Sequence, residues 1–330
     1  MKKIKSLLVM LVVVLLGITL TGCGGSNLIK VGILKYVSAS ALDSAQDGIV
    51  KALAEAGYVD GENIEIIYQN PEANPSTLTN AAISLVNECD IIFAIATPAA
   101  QAVKAEIENQ GKETPLVFTA VTDPVSAGLV ESVENKTGFV TGTNDMNPVA
   151  EQVALIHEID KSVTKMGIIY TSNEVNSKIQ SDLAEAKAKE MGISTYVQTI
   201  NSVNDITNAI NALISDGIEA IYIPTDNVVA SAVPAVVNIT NDHGIITVCG
   251  EEGELNDGGL ISYSINYLAL GELTGEMGAK ILSGELAPNQ IPVGGLALED
   301  LSLVINKKAA AAANITIPEE LLNKADKVVE

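Results

Sequence analysis

From Leu28 onward the chain alternates short, β-rich apolar runs with longer stretches whose apolar residues recur at helical spacing. That alternation marks parallel βαβ units. It predicts strands at Leu28–Tyr36, Ile64–Tyr68, Ile91–Ala96 and Leu116–Thr119, separated by helices at Leu42–Gly57, Leu78–Asn87 and Ala99–Asn109. In the first helix Ile49, Ala52, Leu53 and Ala56 share a face, and Gly57 ends it. The plan then restarts with helix Val149–Ile159, strand Lys165–Tyr170, helix Ser177–Met191, strand Thr195–Thr199, helix Val203–Ser215, strand Ala220–Pro224, helix Ala230–Asp242 and strand Ile245–Cys249. Beyond it come strand-like Leu260–Tyr263, helix Tyr267–Ser283, a Pro/Gly-rich stretch Pro288–Gly295, and a strand and helix at Leu301–Asn306 and Lys307–Ala313.

The fold class expected is therefore α/β, with two Rossmann-like lobes built on parallel sheets. The first lobe is expected to hold residues 29–143 and about 251–293, the second about 144–250 and 294–330. The joins near Thr141–Asn144 and Gly250–Gly253, and the Pro/Gly segment, are the hinge candidates.

The first residues do not share this pattern. Lys2, Lys3 and Lys5 precede an apolar run, Leu7–Leu20, of about 14 residues, shorter than the roughly 20 that span a bilayer. This reads as an export signal over residues 1–22. It ends in Leu20-Thr21-Gly22-Cys23, which resembles the bacterial lipobox, so Cys23 is the expected lipidated N-terminus and residues 23–28 a tether. The alternative is an ordinary membrane anchor with a chance cysteine. The other cysteines, Cys89 and Cys249, sit in apolar strand-like settings without metal-ligand spacing and are expected to be buried free thiols.

Charge narrows the partners. The 330 residues carry 41 acids and 19 bases, a net −22, and all 19 bases are lysines. Loss of the leader removes three lysines and no acid, leaving −25. Such a surface repels phosphate backbones, which argues against nucleic acid. The absence of arginine also removes the usual bidentate clamp for a carboxylate.

In open parallel sheets ligands sit beyond the carboxyl ends of the strands. In the first lobe those segments are Val37-Ser38-Ala39-Ser40, Thr97-Pro98-Ala99-Ala100-Gln101 and Thr119-Ala120-Val121-Thr122-Asp123-Pro124. Each offers small residues and hydroxyls at a helix start, where backbone N–H groups receive an anion without a cationic side chain. Plain helix capping is the competing explanation. The second lobe offers acids and amides: Asn173, Glu174 and Asn176 after one strand, Asp226 and Asn227 after another, Glu251 and Glu252 after a third. Hydroxyls and N–H groups facing acid describe a zwitterion site, with Asp226 and Glu251 as alternatives for the ammonium and capping or hinge duty as the competing role for each. Tyr36 and Tyr170, each at the end of a lobe's first strand, are placed to line a pocket.

Several of these segments carry a resemblance. Thr97-Pro98-Ala99-Ala100-Gln101, Phe118-Thr119-Ala120-Val121-Thr122-Asp123-Pro124-Val125, Thr141-Gly142-Thr143, Ile223-Pro224-Thr225-Asp226-Asn227 and Val304-Ile305-Asn306-Lys307-Lys308-Ala309-Ala310 resemble the ABC-transporter substrate-binding lipoproteins of the TrpX type. The resemblance implies a type I periplasmic-binding-protein fold with three interlobe crossovers that closes on a small solute, most often an aromatic amino acid such as tryptophan or phenylalanine. It further implies that Thr97, Ala120 and Thr122 hold the ligand's α-carboxylate and amine. Where many relatives have His-Pro, this chain has Ala39-Ser40.

No nucleophile–base set, metal cluster or phosphate loop has convincing spacing, and the only histidines are His157 and His243, read as surface residues. The chain is therefore expected to be a monomeric solute binder rather than an enzyme, needing no cofactor or metal. Its expected ligand residues are Tyr36, Ser38, Ser40, Thr97, Ala120, Thr122, Asp123, Tyr170, Asn173, Asn176, Asp226, Asn227 and Glu251. Its expected partners are an amino acid, an ABC permease with its ATPase, and the outer face of a membrane through the Cys23 lipid. A tethered sensor ectodomain and a sugar or nucleoside binder on the same fold are the alternatives.

Overall fold

The computed structural model describes residues 28–134, 138–297 and 300–330. The leader and Cys23 lie outside the described residues. In the first lobe the chain runs β1 (Ile29–Lys35), α1 (Ser40–Glu55), β2 (Ile64–Gln69), α2 (Pro75–Glu88), β3 (Ile91–Ile95), α3 (Thr97–Asn109), β4 (Leu116–Val121) and β5 (Val140–Asn144). These strands form a parallel sheet in the order β2-β1-β3-β4-β5. Helices cover both faces of such a sheet, which is why β3 and β4 are nearly unbroken apolar runs and wholly buried.

The second lobe runs α4 (Val149–Ile159), β6 (Lys165–Thr171), α5 (Val175–Glu190), β7 (Ser194–Ile200), α6 (Ile206–Ser215), β8 (Ala220–Ile223), α7 (Asn227–Ala230), α8 (Val233–Asp242), β9 (Ile246–Cys249), α9 (Glu252–Asn256) and β10 (Ile261–Ser264). The chain then returns to the first lobe as α10 (Tyr267–Leu282), and crosses again to supply β11 (Ser302–Asn306), α11 (Lys307–Ala312), α12 (Glu319–Lys324) and β12 (Lys327–Val329). The second sheet has the order β12-β11-β10-β9-β8-β6-β7 and is parallel except for the β10–β11 pair. The chain thus passes between lobes three times.

Several expectations change. The boundary at about residue 251 moves, because Ile261–Ser264 pairs with β9 and β11 in the second sheet and the return to the first lobe follows Ser264. The hinge run at Thr141–Asn144 is itself an edge strand, invisible as a pattern because Thr, Gly and Asn replace the apolar residues of its neighbours. The single helix expected over Ala230–Asp242 is two, α7 and α8, broken just before Pro234, which has no N–H to continue α7 and suits a first turn. The short α9, α12 and β12 had no periodic signal of their own.

Two contacts place the site. Helices α1 and α10 pack with their backbones touching: a Cβ at Gly48 would stand 2.2 Å from the Leu268 carbonyl oxygen, and one at Gly271 would stand 2.1 Å from that of Ala45. At the hinge, Asn144 N–H donates to the Gly294 carbonyl and Gly294 N–H to that of Gly142, both at 2.9 Å, so the first and third crossings, both running out to the second lobe, lie side by side. Thr143 adds hydroxyl contacts to Thr119 at 2.9 Å and Thr274 at 2.8 Å. Cys89 and Cys249 are free and buried, as expected.

Candidate functional site

The carboxyl ends of both sheets face one cleft. Across it the Gln180 amide reaches the Thr122 hydroxyl at 3.3 Å, and Thr122 lies 3.4 Å from the Thr225 hydroxyl, so the lobes touch and the cleft is closed. Gln180 also bonds the Thr225 hydroxyl and accepts from Thr225 N–H at 3.1 Å. Behind it the Tyr222 hydroxyl, fully buried, donates toward Gln152 at 3.0 Å, carrying the network into the second lobe's core. Between the lobes lies a narrow slot with about 320 Å³ of atom-free space, mouth included.

The first-lobe wall is conformationally unusual. Ala96, just before Thr97, and Ala120 have φ values of 83° and 53°, in the region L-residues avoid. At Ala120 the pairing of β4 with β5 slips between Phe118 and Val121, and Gly142 opposite approaches so closely that a Cβ there would lie 2.0 Å from the Phe118 carbonyl oxygen. The slip turns Ala120 and Thr122 into the slot. Thr97 is 2% exposed and its hydroxyl has no partner among the described residues. Ala39, Leu42 and Ala230 supply small apolar lining.

Buried acids stand on the rest of the wall and just behind it. Asp226 is buried with both oxygens taken: Oδ2 accepts from Thr171 N–H at 2.6 Å, and Oδ1 from the Thr171 hydroxyl at 2.7 Å and Val229 N–H at 2.9 Å. It caps α7. Glu174 accepts through Oε2 from Asn227 N–H at 3.2 Å and from the Asn176 amide at 3.1 Å, while Oε1 is unpartnered. Asp145, directly after β5, accepts from the Tyr267 hydroxyl at 2.7 Å through Oδ2 and has nothing on Oδ1. Glu251 precedes α9 without capping it, and Glu254 accepts from Gly250 N–H at 3.0 Å.

No lysine lines the slot among the described residues. Burial without a counter-charge disfavours the ionised form. It pushes Glu174 up to about 8, helped by Asp226, and Glu251 up to about 8, helped by Asp145 and Asp257. Glu254 rises well above the usual carboxylate range through burial and Glu251. Asp145 rises through burial only to about 6, because hydrogen bonds from Tyr267 and Thr122 favour its charged form.

Six of the residues expected from sequence line the slot: Ala120, Thr122, Asn176, Asp226, Asn227 and Glu251. Tyr36 and Thr97 are buried close behind it, the Tyr36 hydroxyl near enough to Glu174 and Asp226 for both to push its pKa up along with burial. The others stand apart. Ser38 is exposed and donates to Glu72 at 2.7 Å, Ser40 is exposed at the start of α1, and Asn173 is exposed before α5. Asp123 caps its own turn through Val125 N–H at 3.1 Å and Ser126 N–H at 3.0 Å, and Tyr170 packs in the second lobe's core. Asp145 and Tyr267 are not among the residues expected from sequence, nor are Ala39, Leu42, Thr225 and Ala230; Asp145 stands where the chain leaves the first lobe and Tyr267 where it returns. His157 and His243 sit on backbone carbonyls at 2.9 Å, outside the slot lining.

Residues 30–329 match the family described as ABC transporter substrate binding protein. The chain belongs to that family. It is thus a substrate-binding protein of an ABC transporter and not an enzyme, and its two lobes with three crossings are those of type I periplasmic binding proteins. It is 35% identical over 332 residues to a "Tyrosine-binding protein" of Clostridioides difficile, covering 96% of this chain and 94% of the relative. A structure described as an ABC domain in complex with L-Trp from Streptococcus pneumonia is 34% identical, with a TM-score of 0.85 over 92% of this chain and 100% of that one. The ligand-free, open structure of a substrate-binding protein with adhesive properties from Clostridium difficile is equally 34% identical, yet has a TM-score of 0.66 over 92% and 99%. At matched identity, this substrate-binding protein follows the tryptophan complex better than the open form, in keeping with its interlobe contacts.

Proposed function

We propose that the protein is the extracytoplasmic, lipid-anchored receptor of an ABC importer for an aromatic amino acid. The observation that carries this reading is the slot's polarity: a cation-free wall bearing the buried acids Asp145, Asp226 and Glu251 faces the strained Ala120–Thr122 turn, with the unpartnered Thr97 hydroxyl buried in the same lobe. A zwitterion suits both sides, its ammonium toward the acids and its carboxylate toward N–H and hydroxyl donors. Ala39, Leu42, Ala230 and Tyr267 give the slot the apolar and aromatic lining that suits a flat ring. The tyrosine-binding relative and the tryptophan complex support an aromatic side chain. Closure around the ligand would present the permease with one two-lobed state.

Thermal shift with L-tyrosine, L-tryptophan and L-phenylalanine tests the ligand class. At a hundredfold excess over Kd, linkage gives about 2.7 kcal/mol of added stability, a readily visible rise in Tm. Protection by a sugar or nucleoside and by none of the three would overturn the reading. The anchor is tested separately. Attachment is assigned to Cys23 at the end of the lipobox-like Leu20-Thr21-Gly22-Cys23 run. Cys23→Ser is expected to move the protein from the membrane fraction to the soluble one, and retention on the membrane would remove the lipid anchor from this account.

A further inference from the structure

Five acids surround the slot, and the hydrogen bonds sort four of them. Asp226 has both oxygens consumed by Thr171 and Val229 and offers a ligand nothing without dismantling the cap of α7. Glu174 spends one oxygen on Asn176 and Asn227, and Glu254 spends one on Gly250 N–H; neither lines the slot. Asp145 differs. It lines the slot, is 3% exposed, and is held by Tyr267 on one oxygen while the other has no partner among the described residues. Asn176 lines the same slot with an equally unpartnered Oδ1. Two buried acceptors with nothing donating to them mark the place of a missing donor.

We propose that Asp145, positioned by the Tyr267 hydroxyl, is the seat of the ligand's ammonium group, with the Asn176 carbonyl and Glu251 as its neighbours. This rests on the cleft being an aromatic amino-acid site. It moves the ammonium from Asp226 and Glu251, the two strand-end alternatives, to a residue on the hinge. Asp145 directly follows β5 where the chain leaves the first lobe, and Tyr267 opens α10 where the chain comes back. Their hydrogen bond joins two of the three crossings. An ammonium bound there neutralises a charge lodged between the hinge strands, so ligand recognition and lobe closure share one ion pair. The groups facing Asp145 are Thr122 from the turn after β4, Tyr267 from α10, and Glu251 just before α9; none is a base. The carboxyl sits at about 6, so it is ionised at neutral pH, while Glu251 beside it, at about 8, keeps its proton until a cation arrives.

The test compares each amino acid with its hydroxy-acid analogue, which replaces the ammonium by a hydroxyl: L-tyrosine against 4-hydroxyphenyllactate, L-tryptophan against indole-3-lactate. Asp145→Asn is expected to weaken the amino acid about 100-fold, the scale of one lost charge-assisted contact, and to change the hydroxy acid by only a few-fold. Equal losses for both would make Asp145 structural and overturn the assignment. So would full amino-acid affinity in Asp145→Asn together with a selective amino-acid loss in Asp226→Asn. Wild-type protein that binds neither amino acid would fail already in the thermal-shift screen, overturning the ligand class and this assignment with it. Tyr267→Phe tests the positioning role and does not depend on Asp145→Asn folding. Removing the hydroxyl raises the Asp145 carboxyl further, so the pH at which amino-acid affinity develops is expected to move up, and an unshifted profile would overturn the role of Tyr267.

Discussion

Gly271→Val is expected to destabilise the protein by at least about 3 kcal/mol, read as a fall in Tm of roughly 6–12 °C, and to weaken ligand binding with it. The cause is the contact between α1 and α10. A Cβ at Gly271 would sit 2.1 Å from the Ala45 carbonyl oxygen and 2.8 Å from its carbonyl carbon. One turn on, a Cβ at Gly275 would meet the Ala52 Cβ and the Ile49 carbonyl oxygen, both at 2.7 Å. The obstacle is backbone rather than the far end of a flexible side chain, so valine can be accommodated only if the helices separate. Separation exposes Ala45, Ile49 and Leu53, all fully buried at present. The site suffers too, because α1 carries Leu42 and α10 carries Tyr267 into the slot. Gly284→Ala is the control: it has nothing within 4 Å of its added Cβ and a φ of +72°, so its cost is confined to backbone strain of about 1 kcal/mol. Equal Tm losses for the two variants would contradict this account of the helix contact.

The second large effect concerns pH. Ligand-free protein is expected to lose stability steadily from pH 5 to pH 8, and the stabilisation conferred by the amino acid is expected to grow over the same interval. Glu174 and Glu251 rise from 4.5 in the unfolded chain to about 8 in the folded one, and Asp145 rises from 3.8 to about 6. Between those limits the folded state holds protons that the unfolded chain has released, so stability falls as pH rises, by up to about 1.4 kcal/mol per pH unit for each such proton. Groups of like charge share the penalty, which brings the total to several kcal/mol rather than the sum of the separate shifts. Glu174 is faced by Asp226, Asn176 and Asn227, and Glu251 by Asp145 and Asp257, with no base in either set. A bound ammonium supplies the absent counter-charge, most effectively where the acids would otherwise have to ionise alone. Melting curves with and without L-tyrosine from pH 5 to pH 8 measure both trends. A flat Tm in the empty protein, or a ligand shift independent of pH, would contradict the buried-acid account.

Much of this architecture is written locally in the chain. Short apolar runs alternating with stretches of 3.6-residue period suffice to predict most strands of both sheets, and a strand-end rule points to Ala120, Thr122, Asn176, Asp226, Asn227 and Glu251 as slot residues. What these positions do there is another matter. Asp226 looks like an ammonium ligand at its strand end, but Thr171, 55 residues earlier, occupies it. The strand β5 escaped notice because an edge strand of Thr, Gly and Asn buries backbone and hydroxyls rather than a row of apolar side chains.

By itself the sequence determined the two-lobed α/β plan, through hydrophobic periodicity, and ruled a guanidinium clamp out of the site, through the absence of arginine. Both are properties of neighbouring residues or of composition, and need no knowledge of which segments meet. The tertiary structure alone decided which acid is free to receive a cation. Asp145 and Tyr267 are 122 residues apart and meet only because the chain crosses between lobes after β5 and returns before α10. The free oxygen of Asp145 is what remains after Tyr267 takes the other, and such a remainder exists only in three dimensions.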